Sequence, residues 1–304
     1  MDASTDIVPD SEQRGLIGAL PVAVRPYASL MRLDRPIGAW LLFWPGAWSV
    51  ALAGIGPGGI ALIAWLGLGA WAMRGAGCVY NDIVDRDLDR KVERTRLRPL
   101  ARGRVSLAGA WALLVSLSLV GLVVLVQLER TAQLVALASL ALVAAYPFMK
   151  RITWWPQAWL GLVFSWAALV GWPAVREAID GAALLLYAGS VFWVIGYDTI
   201  YALQDREDDA LAGVKSSARA LGRHARLGIA ACYALATLLW AAAVWAVRPD
   251  PVALLALLPM ALHLAWQATS LRPDDCDDAL AKFRSNRTAG LLMFLACLAV
   301  GTAL

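Results

Sequence analysis

The stretch from Arg74 to Gly103 reads RGAGCVYNDIVDRDLDRKVERTRLRPLARG and joins an apolar helix to a dense group of charges. The apolar run extends from Ile60 to Tyr80, and the stretch itself contains four aspartates and eight basic residues. An apolar run of about 20 residues is typical of a helix that crosses a bilayer. The sequence therefore predicts a membrane helix that ends in an acidic cluster.

The acids of this cluster share one helical face. On a helix that turns by about 100° per residue, Asp85 lies about 40° and Asp89 about 80° from Asn81. Asp82 lies about 100° from Asn81, and Arg74 falls within the same arc two turns earlier. Carboxylates on one face repel one another unless a cation lies between them, and Mg²⁺ prefers oxygen ligands of this kind. The spacing predicts a magnesium site, with the solvated end of a membrane helix as the alternative interpretation.

A second stretch, YDTIYALQDREDDALAGVKSSARALG at residues 197–222, follows the same plan. It ends the apolar segment Leu184–Leu203. If the helix continues through the stretch, Asp198, Asp205 and Asp209 lie within about 40° of one another. Acidic clusters at matching ends of two membrane helices predict one shared site.

The composition of the 304 residues is that of a polytopic membrane protein. Hydrophobic residues make up 60% of the chain and charged residues only 16%, with a mean hydropathy of +0.61. Strand-like alternation is absent, so the expected fold is all-α: a membrane-embedded bundle of about nine transmembrane helices. The nine segments are Ile37–Ala53, Ile60–Tyr80, Leu107–Leu128, Thr131–Phe148, Trp155–Val170, Leu184–Leu203, Leu227–Val247, Val252–Ser270 and Thr288–Leu304.

Lysine and arginine residues lie almost entirely on one side of this predicted bundle. With nine spans, the N-terminus and the loops after the even-numbered helices carry 23 of the 27 basic residues. The opposite loops carry Arg130, Arg176 and Arg248. Because cytoplasmic loops are enriched in basic residues, we expect the N-terminus and both acidic clusters on the cytoplasmic side. This bias also accounts for the net charge of +4, so no nucleic-acid partner is expected.

The first 24 residues mix acids with serine and proline and contain no apolar run before a small-residue cleavage site. This composition is unlike a signal peptide, and the acids are unlike a mitochondrial presequence. We therefore expect a disordered cytoplasmic tail over residues 1–24 and a single transmembrane domain over residues 25–304. The expected location is a bacterial inner (cytoplasmic) membrane.

Cysteine and histidine residues indicate no other metal chemistry. The four cysteines form no C-x-x-C pair, and the chain has two histidines. These numbers and spacings suit neither a disulfide framework nor a zinc triad or a pair of haem ligands. Zinc and haem are therefore not expected.

A diphosphate attached to a lipid is the substrate class that suits two acidic clusters at a membrane surface. Metal ions held by carboxylates neutralise the charge that develops on a leaving diphosphate, while arginine and lysine bind its remaining oxygens. Cleavage of an allylic carbon–oxygen bond yields a carbocation that aromatic rings stabilise through their faces. Candidate rings are those of Tyr80, Trp193, Tyr197 and Tyr201.

The motif Asn81-Asp82-x-x-Asp85-x-x-x-Asp89, together with Asp205-x-x-x-Asp209, resembles the UbiA superfamily of intramembrane prenyltransferases. The blocks MRLDRPIGAWLLFWP, RGAGCVYND, RTRLRPLARG and YPFMKR, in that order, are most similar to the 4-hydroxybenzoate polyprenyltransferases of ubiquinone biosynthesis. The resemblance spans about residues 27 to 290. It implies Mg²⁺-dependent transfer of a polyprenyl group from polyprenyl diphosphate to the ring carbon ortho to the hydroxyl of 4-hydroxybenzoate, within the lipid bilayer.

The resemblance also implies roles for individual residues. The main metal ligands would be Asn81, Asp85, Asp205 and Asp209, with Asp82, Asp89 and Asp198 in support. The residues expected to contact diphosphate are Arg74, Lys150, Arg151 and Lys215. An arginine about two turns inside a membrane helix costs roughly 2.5–3.5 kcal/mol, which favours an anionic partner for Arg74. Arg32 and Arg35 are the candidates for binding the carboxylate of the acceptor, and Asp198 is the candidate for accepting the ring proton.

Other functions remain open from the sequence. One alternative is a member of the same superfamily that uses homogentisate, a naphthoate or a porphyrin as acceptor in place of 4-hydroxybenzoate. A cation-coupled transporter also contains intramembrane acids, but its acids lie near the middle of the bilayer rather than at helix ends. A phosphotransferase acting on CDP-lipids is disfavoured because its Asp-Gly-x-x-Ala-Arg motif is missing.

Overall fold

The computed structural model describes residues 14–90, 95–206, 210 and 213–302, and all regular structure in that part of the chain is helical. Its helices are α1 (Arg14–Ala19), α2 (Arg25–Leu30), α3 (Ile37–Gly54), α4 (Gly59–Val84), α5 (Arg86–Asp89), α6 (Leu107–Leu125), α7 (Arg130–Ile152), α8 (Pro156–Gly171), α9 (Pro173–Arg176), α10 (Gly181–Ala202), α11 (Ser217–Leu221), α12 (Ala225–Val247), α13 (Pro251–Leu255), α14 (Leu258–Ser270) and α15 (Cys276–Gly301). A 3₁₀ turn, Gly222–His224, lies between α11 and α12.

Within the described residues, eight spans are long and apolar enough to cross a membrane. The predicted all-α membrane fold is confirmed, and the predicted number of nine helices is approximate. The ninth predicted segment lies in α15, which is not among the eight. The first half of α15 carries Asp277, Asp278, Lys282, Arg284 and Arg287, which lower its hydropathy.

The predicted N-terminal tail contains one short helix, α1, at its end. Residues 1–13 of that tail lie outside the described part of the chain. The prediction of one transmembrane domain over residues 25–304 stays a prediction. The described residues fall into two compact units, one from those within 14–40 and 68–125 and the other from those within 41–67 and 126–302.

The first unit is built around the second half of α4. Ala76 and Val79 of this helix pack in a hydrophobic cluster with Leu30 of α2 and with Leu117 of α6. Leu100, from the loop between α5 and α6, is 2% exposed and belongs to the same cluster. This packing fixes the end of α4, the loop and the residues after α2 against one another, and the acidic cluster lies on that end of α4.

The second unit has an aromatic core. Trp48 of α3, Trp193 of α10 and Trp240 of α12 are each at most 1% exposed, and their ring centroids lie 4.9 to 6.2 Å apart. Gly189 of α10 lies against Trp240: a Cβ at this position would be 2.6 Å from the indole ring. The small residue lets α10 and α12 approach closely, as is common between membrane helices.

Candidate active site

The first acidic cluster lies at the junction of α4 and α5. The N–H of Asp85 donates to the carbonyl of Asn81 at 2.9 Å, and the N–H of Asp89 donates to that of Asp85 at 2.8 Å. Helical hydrogen bonds therefore continue past the end of α4, and Asn81, Asp85 and Asp89 share a face, in agreement with their spacing. The three aspartates of the cluster, Asp82, Asp85 and Asp89, are 1%, 0% and 4% exposed.

Two arginines contact these buried carboxylates. Arg32 donates through Nη2 to both oxygens of Asp82, at 2.9 and 3.0 Å. Arg98 donates through Nη1 to Asp82 at 3.1 Å and to both oxygens of Asp89, at 3.1 and 2.9 Å. Charge-assisted hydrogen bonds of this geometry are the strong kind in proteins. The pairing with Asp82 was not part of the role that the sequence predicted for Arg32.

The backbone of Arg32 is held in an uncommon conformation by this arrangement. Its φ is +62°, in the left-handed region that non-glycine residues seldom adopt. Its guanidinium also donates to the carbonyls of Ser29 and Leu30, at 3.1 and 3.3 Å. The conformation turns the chain between α2 and α3 so that Arg32 reaches the end of α4.

Burial and neighbouring charges oppose the ionisation of Asp89. Burial raises the pKa of Asp89, and the charges of Asp82 and Asp85 raise it further. Arg98 acts in the opposite direction but does not outweigh them, so the pKa remains above its ordinary value. The cluster is thus a set of buried carboxylates that nearby positive charge stabilises in their ionised form.

Arg74 lies within α4, and Gly38 of α3 provides the space for its guanidinium. A Cβ at Gly38 would lie 2.5 Å from Nε and 3.0 Å from Nη2 of Arg74. Arg74 also donates to the thiol of Cys78, one turn further along α4. The glycine of the RPIGAW block therefore has a structural explanation that the sequence did not reveal.

Arg35 contacts the buried Asp34 next to it in the chain. Its Nε donates to Oδ2 of Asp34 at 3.2 Å, and Asp34 is 2% exposed. Both residues lie in the turn that precedes α3. Arg35, a predicted ligand of the acceptor carboxylate, therefore lies just before the start of α3.

The second acidic stretch differs from the helix assumed in the sequence analysis. Helix α10 ends at Ala202, and the next N–H groups bond three residues back: Gln204 to Tyr201 at 3.2 Å and Asp205 to Ala202 at 3.3 Å. Because such a turn advances by about 120° per residue, Asp205 is rotated away from the stripe calculated for an α-helix. Asp198 is half-buried inside α10, and Asp209 lies outside the described residues.

Tyr201, the aromatic residue next to this turn, packs on Phe283 of α15 with ring centroids 4.7 Å apart. Trp193 is more deeply buried, and its Nε1 donates to Oδ1 of Asn286 at 2.9 Å. Tyr197 lies between them on α10, with its ring 4.9 Å from Trp193 and 5.9 Å from Phe283. The aromatic candidates of α10 therefore form a packed column that leads to the second acidic stretch.

The basic candidates at the end of α7 and before α11 lie near one another in the second unit. Lys215 donates through Nζ to the carbonyl of Ile152, the last residue of α7, at 3.1 Å. Arg151 is the residue before it and is exposed. The side chain of Lys150 lies outside the described part of the structure. Two blocks far apart in sequence thus meet at the end of α7.

Arg98 is the main residue that the sequence analysis missed. It is one of eight basic residues in a single stretch, and spacing does not distinguish it from its neighbours. Its contacts depend on the fold of the loop before α6. Only the Pro99-Leu100 pair that follows it marks the position, and that signal carries no information on its partners.

The donors fit a hard divalent cation in type. The side chains of Asn81, Asp85 and Asp205 can each offer an oxygen atom, which is the ligand type that Mg²⁺ prefers. Across the described residues, no three His, Cys, Asp or Glu side chains converge closely enough to hold a metal by themselves. Since Mg²⁺ usually keeps waters and binds substrate phosphates, such an incomplete protein set is compatible with it.

The fold and this cluster define a multi-pass helical membrane protein with buried acids and arginines at the end of a membrane helix. The model of the UbiA prenyltransferase family matches residues 42–298. The chain belongs to this family.

Curated relatives match along nearly the whole chain. A Drosophila melanogaster protein named 4-hydroxybenzoate polyprenyltransferase, mitochondrial, is 45% identical. The alignment is 306 residues long with its gaps, and it covers 99% of this chain and 77% of the relative. The protein of the same name from Rattus norvegicus is 43% identical, and the alignment covers 92% of this chain and 76% of the relative. The one from Arabidopsis thaliana is 41% identical, with 90% of this chain and 68% of the relative covered.

Solved structures share the fold. The apo structure of a UbiA homolog from Aeropyrum pernix K1 has a TM-score of 0.71 at 29% identity and covers 86% of this chain and 97% of its own. A UbiA homolog from Archaeoglobus fulgidus bound to GPP and Mg²⁺ has a TM-score of 0.68, covering 91% of this chain and 99% of its own. At 17% identity, the second similarity shows the fold alone.

The predicted location in a bacterial inner membrane is wrong by this comparison. The relatives described above are named as mitochondrial proteins and come from an insect, a mammal and a plant. The prediction relied on the composition of residues 1–24. The composition of these residues therefore does not decide the compartment.

Proposed function

We propose that this chain transfers a polyprenyl group from a polyprenyl diphosphate to the ring carbon ortho to the hydroxyl of 4-hydroxybenzoate, releasing diphosphate, as a step of ubiquinone biosynthesis. The observation that carries the proposal is the 45% identity, over 99% of the chain, to a protein named for this activity. The buried acid–arginine cluster at the end of a membrane helix supports the same reaction class.

The reaction breaks the allylic carbon–oxygen bond, and its electron pair leaves with the diphosphate. The ring carbon then forms a bond to the allylic cation, and the ring loses a proton. When bound, Mg²⁺ supplies the positive charge that stabilises the departing diphosphate. The protein's task is to hold that metal, bind the diphosphate oxygens and keep water from the cation.

The residues proposed to hold Mg²⁺ are Asn81, Asp85, Asp205 and Asp209. Asp82 and Asp89 are proposed as additional oxygen ligands: Arg32 contacts Asp82, and Arg98 contacts both. That both acidic stretches serve one reaction is supported by their shared sequence design at the ends of two membrane helices. The contribution of Asp209 rests on its motif alone.

The residues proposed to bind diphosphate are Arg74, Lys150, Arg151 and Lys215. For the acceptor carboxylate, Arg35 is the better of the two predicted arginines, because Arg32 already donates to both oxygens of Asp82. Arg35 has the longer contact, 3.2 Å to Asp34. Asp198, half-buried in α10 next to Tyr197, is proposed to accept the ring proton after the carbon–carbon bond forms.

An acceptor panel tests the proposal. The purified chain in lipid nanodiscs is supplied with a polyprenyl diphosphate, Mg²⁺ and one of four acceptors: 4-hydroxybenzoate, homogentisate, a dihydroxynaphthoate or a porphyrin. We expect product from 4-hydroxybenzoate at the highest kcat/KM, and none after chelation of the metal. A higher kcat/KM for another acceptor, or full activity in EDTA, contradicts the proposal.

A further inference from the structure

A single guanidinium nitrogen of Arg98 donates hydrogen bonds to two carboxylates. Its Nη1 lies 3.1 Å from Oδ1 of Asp82 and 2.9 Å from Oδ2 of Asp89. These aspartates are seven residues apart, which brings them close to one face of a continuous helix, two turns apart. The guanidinium therefore lies where a cation that bridges the two acids would lie.

The two carboxylates differ in how firmly they are held. Asp82 receives a second arginine, since Arg32 contacts both of its oxygens. For Asp89, Arg98 is the arginine that contacts both oxygens. The side chains of Asp82 and Asp89 are 1% and 6% exposed, whereas that of Arg98 is 23% exposed. Arg98 is thus the more accessible member of a buried charge cluster.

The loop that carries Arg98 is attached to the same cluster. The hydroxyl of Thr95 donates to the carbonyl of Asp89 at 3.0 Å, and the N–H of Arg98 donates to the carbonyl of Thr95 at 2.9 Å. Leu100 and Val105 of the same loop are buried in the hydrophobic cluster of the first unit. The position of Arg98 is therefore set by the fold of the loop rather than by its charge alone.

A metal ion bound through both oxygens of Asp89 would take the position that Nη1 of Arg98 occupies between them. This nitrogen lies within 3.1 Å of each oxygen, so a cation that binds both oxygens of Asp89 has to displace it. A displaced arginine in a partly buried cluster needs a new anionic partner. A diphosphate bound with the metal provides phosphate oxygens, which arginine binds well.

We propose that Arg98 is an internal counter-cation that competes with the divalent metal for Asp89 and thereby makes metal binding depend on diphosphate. The proposal rests on the proposed function, because it assumes a metal and a diphosphate at this cluster. Arg98 is a positioning residue in this account: it acts through Asp89 and Asp82. The cluster then holds metal weakly alone and tightly with diphosphate.

Binding of Mn²⁺, with and without inorganic pyrophosphate, tests this directly. Electron paramagnetic resonance of the full chain in nanodiscs gives the fraction of bound Mn²⁺. For the unaltered protein we expect pyrophosphate to tighten Mn²⁺ binding. For Arg98→Gln we expect Mn²⁺ alone to bind about tenfold more tightly, the scale of one lost charged hydrogen bond, and the effect of pyrophosphate to shrink. Prenyl transfer at saturating Mg²⁺ falls in this variant.

Arg90→Gln is the matched control. It removes the same charge from the same region, but Arg90 pairs with the exposed Asp87 at 3.5 Å and its side chain is 51% exposed. We expect its Mn²⁺ binding to change less than threefold, the scale of an exposed ion pair. Arg98→Lys, which keeps the charge but loses the fork, is expected to lie between the unaltered protein and Arg98→Gln.

The proposal is overturned if Arg98→Gln binds Mn²⁺ no more tightly than the unaltered protein, while Arg98→Lys is folded and binds Mn²⁺ as the unaltered protein does. A merely structural role predicts that outcome, because damage to the cluster lowers metal affinity and turnover together. Failure of the proposed function looks different. In that case the unaltered protein still couples Mn²⁺ to pyrophosphate but transfers no prenyl group to 4-hydroxybenzoate.

Discussion

Asp82 and Asp89 are aspartates of nearly equal burial in one cluster, and the arginines that contact them differ. Arg32 reaches Asp82 from the turn after α2, whereas Arg98 reaches both acids from the loop before α6. The helical spacing of the acids follows from the sequence because it depends only on the local period. The arginine partners depend on packing between segments far apart in the chain.

Arg74→Lys tests the role of the arginine inside α4. Lysine keeps the charge but loses the planar fork that binds two phosphate oxygens. We expect the KM for the prenyl diphosphate to rise about tenfold, the scale of one charged hydrogen bond, with the KM for 4-hydroxybenzoate nearly unchanged. Steady-state kinetics with each substrate varied in turn measure both values. A rise in the acceptor KM instead would assign Arg74 to the acceptor carboxylate.

Gly38→Ala tests whether the position of that guanidinium matters. The added methyl group would lie 2.5 Å from Nε of Arg74, so the guanidinium has to move. We expect kcat/KM for the prenyl diphosphate to fall at least about tenfold, since small misplacement at a reacting site is costly. Gly77→Ala is the control, because a Cβ there meets nothing within 4 Å. Equal activities of the two variants would contradict the assignment.

At the scale of elements, the end of α10 shows where a helical calculation stops being valid. The apolar pattern correctly indicates a helix up to Ala202, because local hydrophobicity determines it. The hydrogen bonds then change from four residues to three residues back, and the face that carries Asp205 changes with them. The sequence placed the acid at the helix end but did not reveal its direction.

Helix α15 carries a prediction about pH. Burial alone would raise the pKa of Asp278, but hydrogen bonds from Lys282 and from the N–H of Arg272, with the charges of both residues, lower it. A lowered pKa stabilises the fold above the ordinary pKa of aspartate, and this stabilisation is lost as the pH falls through the lowered value. Asp278→Asn should therefore reduce Tm by a few degrees near pH 7 and by less toward pH 3.

Thermal unfolding in detergent across that pH range measures the difference. Asp277→Asn, an exposed acid in the same first turn of α15, is the control and should change Tm little at any pH. A destabilisation by Asp278→Asn that is independent of pH would show that the carboxylate charge is not responsible.

At the scale of the whole molecule, the sequence was sufficient for the fold class and the reaction class. Long apolar runs and the bias of basic residues are composition effects, so they survive without tertiary information. The predicted number of membrane helices is approximate, because the charges from Asp277 to Arg287 place α15 outside the eight spans found in the described residues. The predicted compartment was wrong because it rested on the composition of residues 1–24, which does not decide the compartment.

The candidate site was predicted in part. Asn81, Asp85 and Asp89 share a face as their spacing indicates, since the backbone hydrogen bonds remain helical through Asp85. Arg98 was missed because its selection from eight basic residues requires the fold of a loop. The roles of Asp209 and Lys150 stay predictions from the motif and the resemblance.

The most direct test of the central claim compares Asp85→Ala, Asp205→Ala and the double variant in prenyl transfer. Residues that act as one unit give non-additive losses. We predict that each single variant loses about 10³-fold in kcat, the scale of several kcal/mol supplied by a metal, and that the double variant is little worse. Full activity of either purified, folded single variant, or losses that multiply in the double variant, would contradict the account.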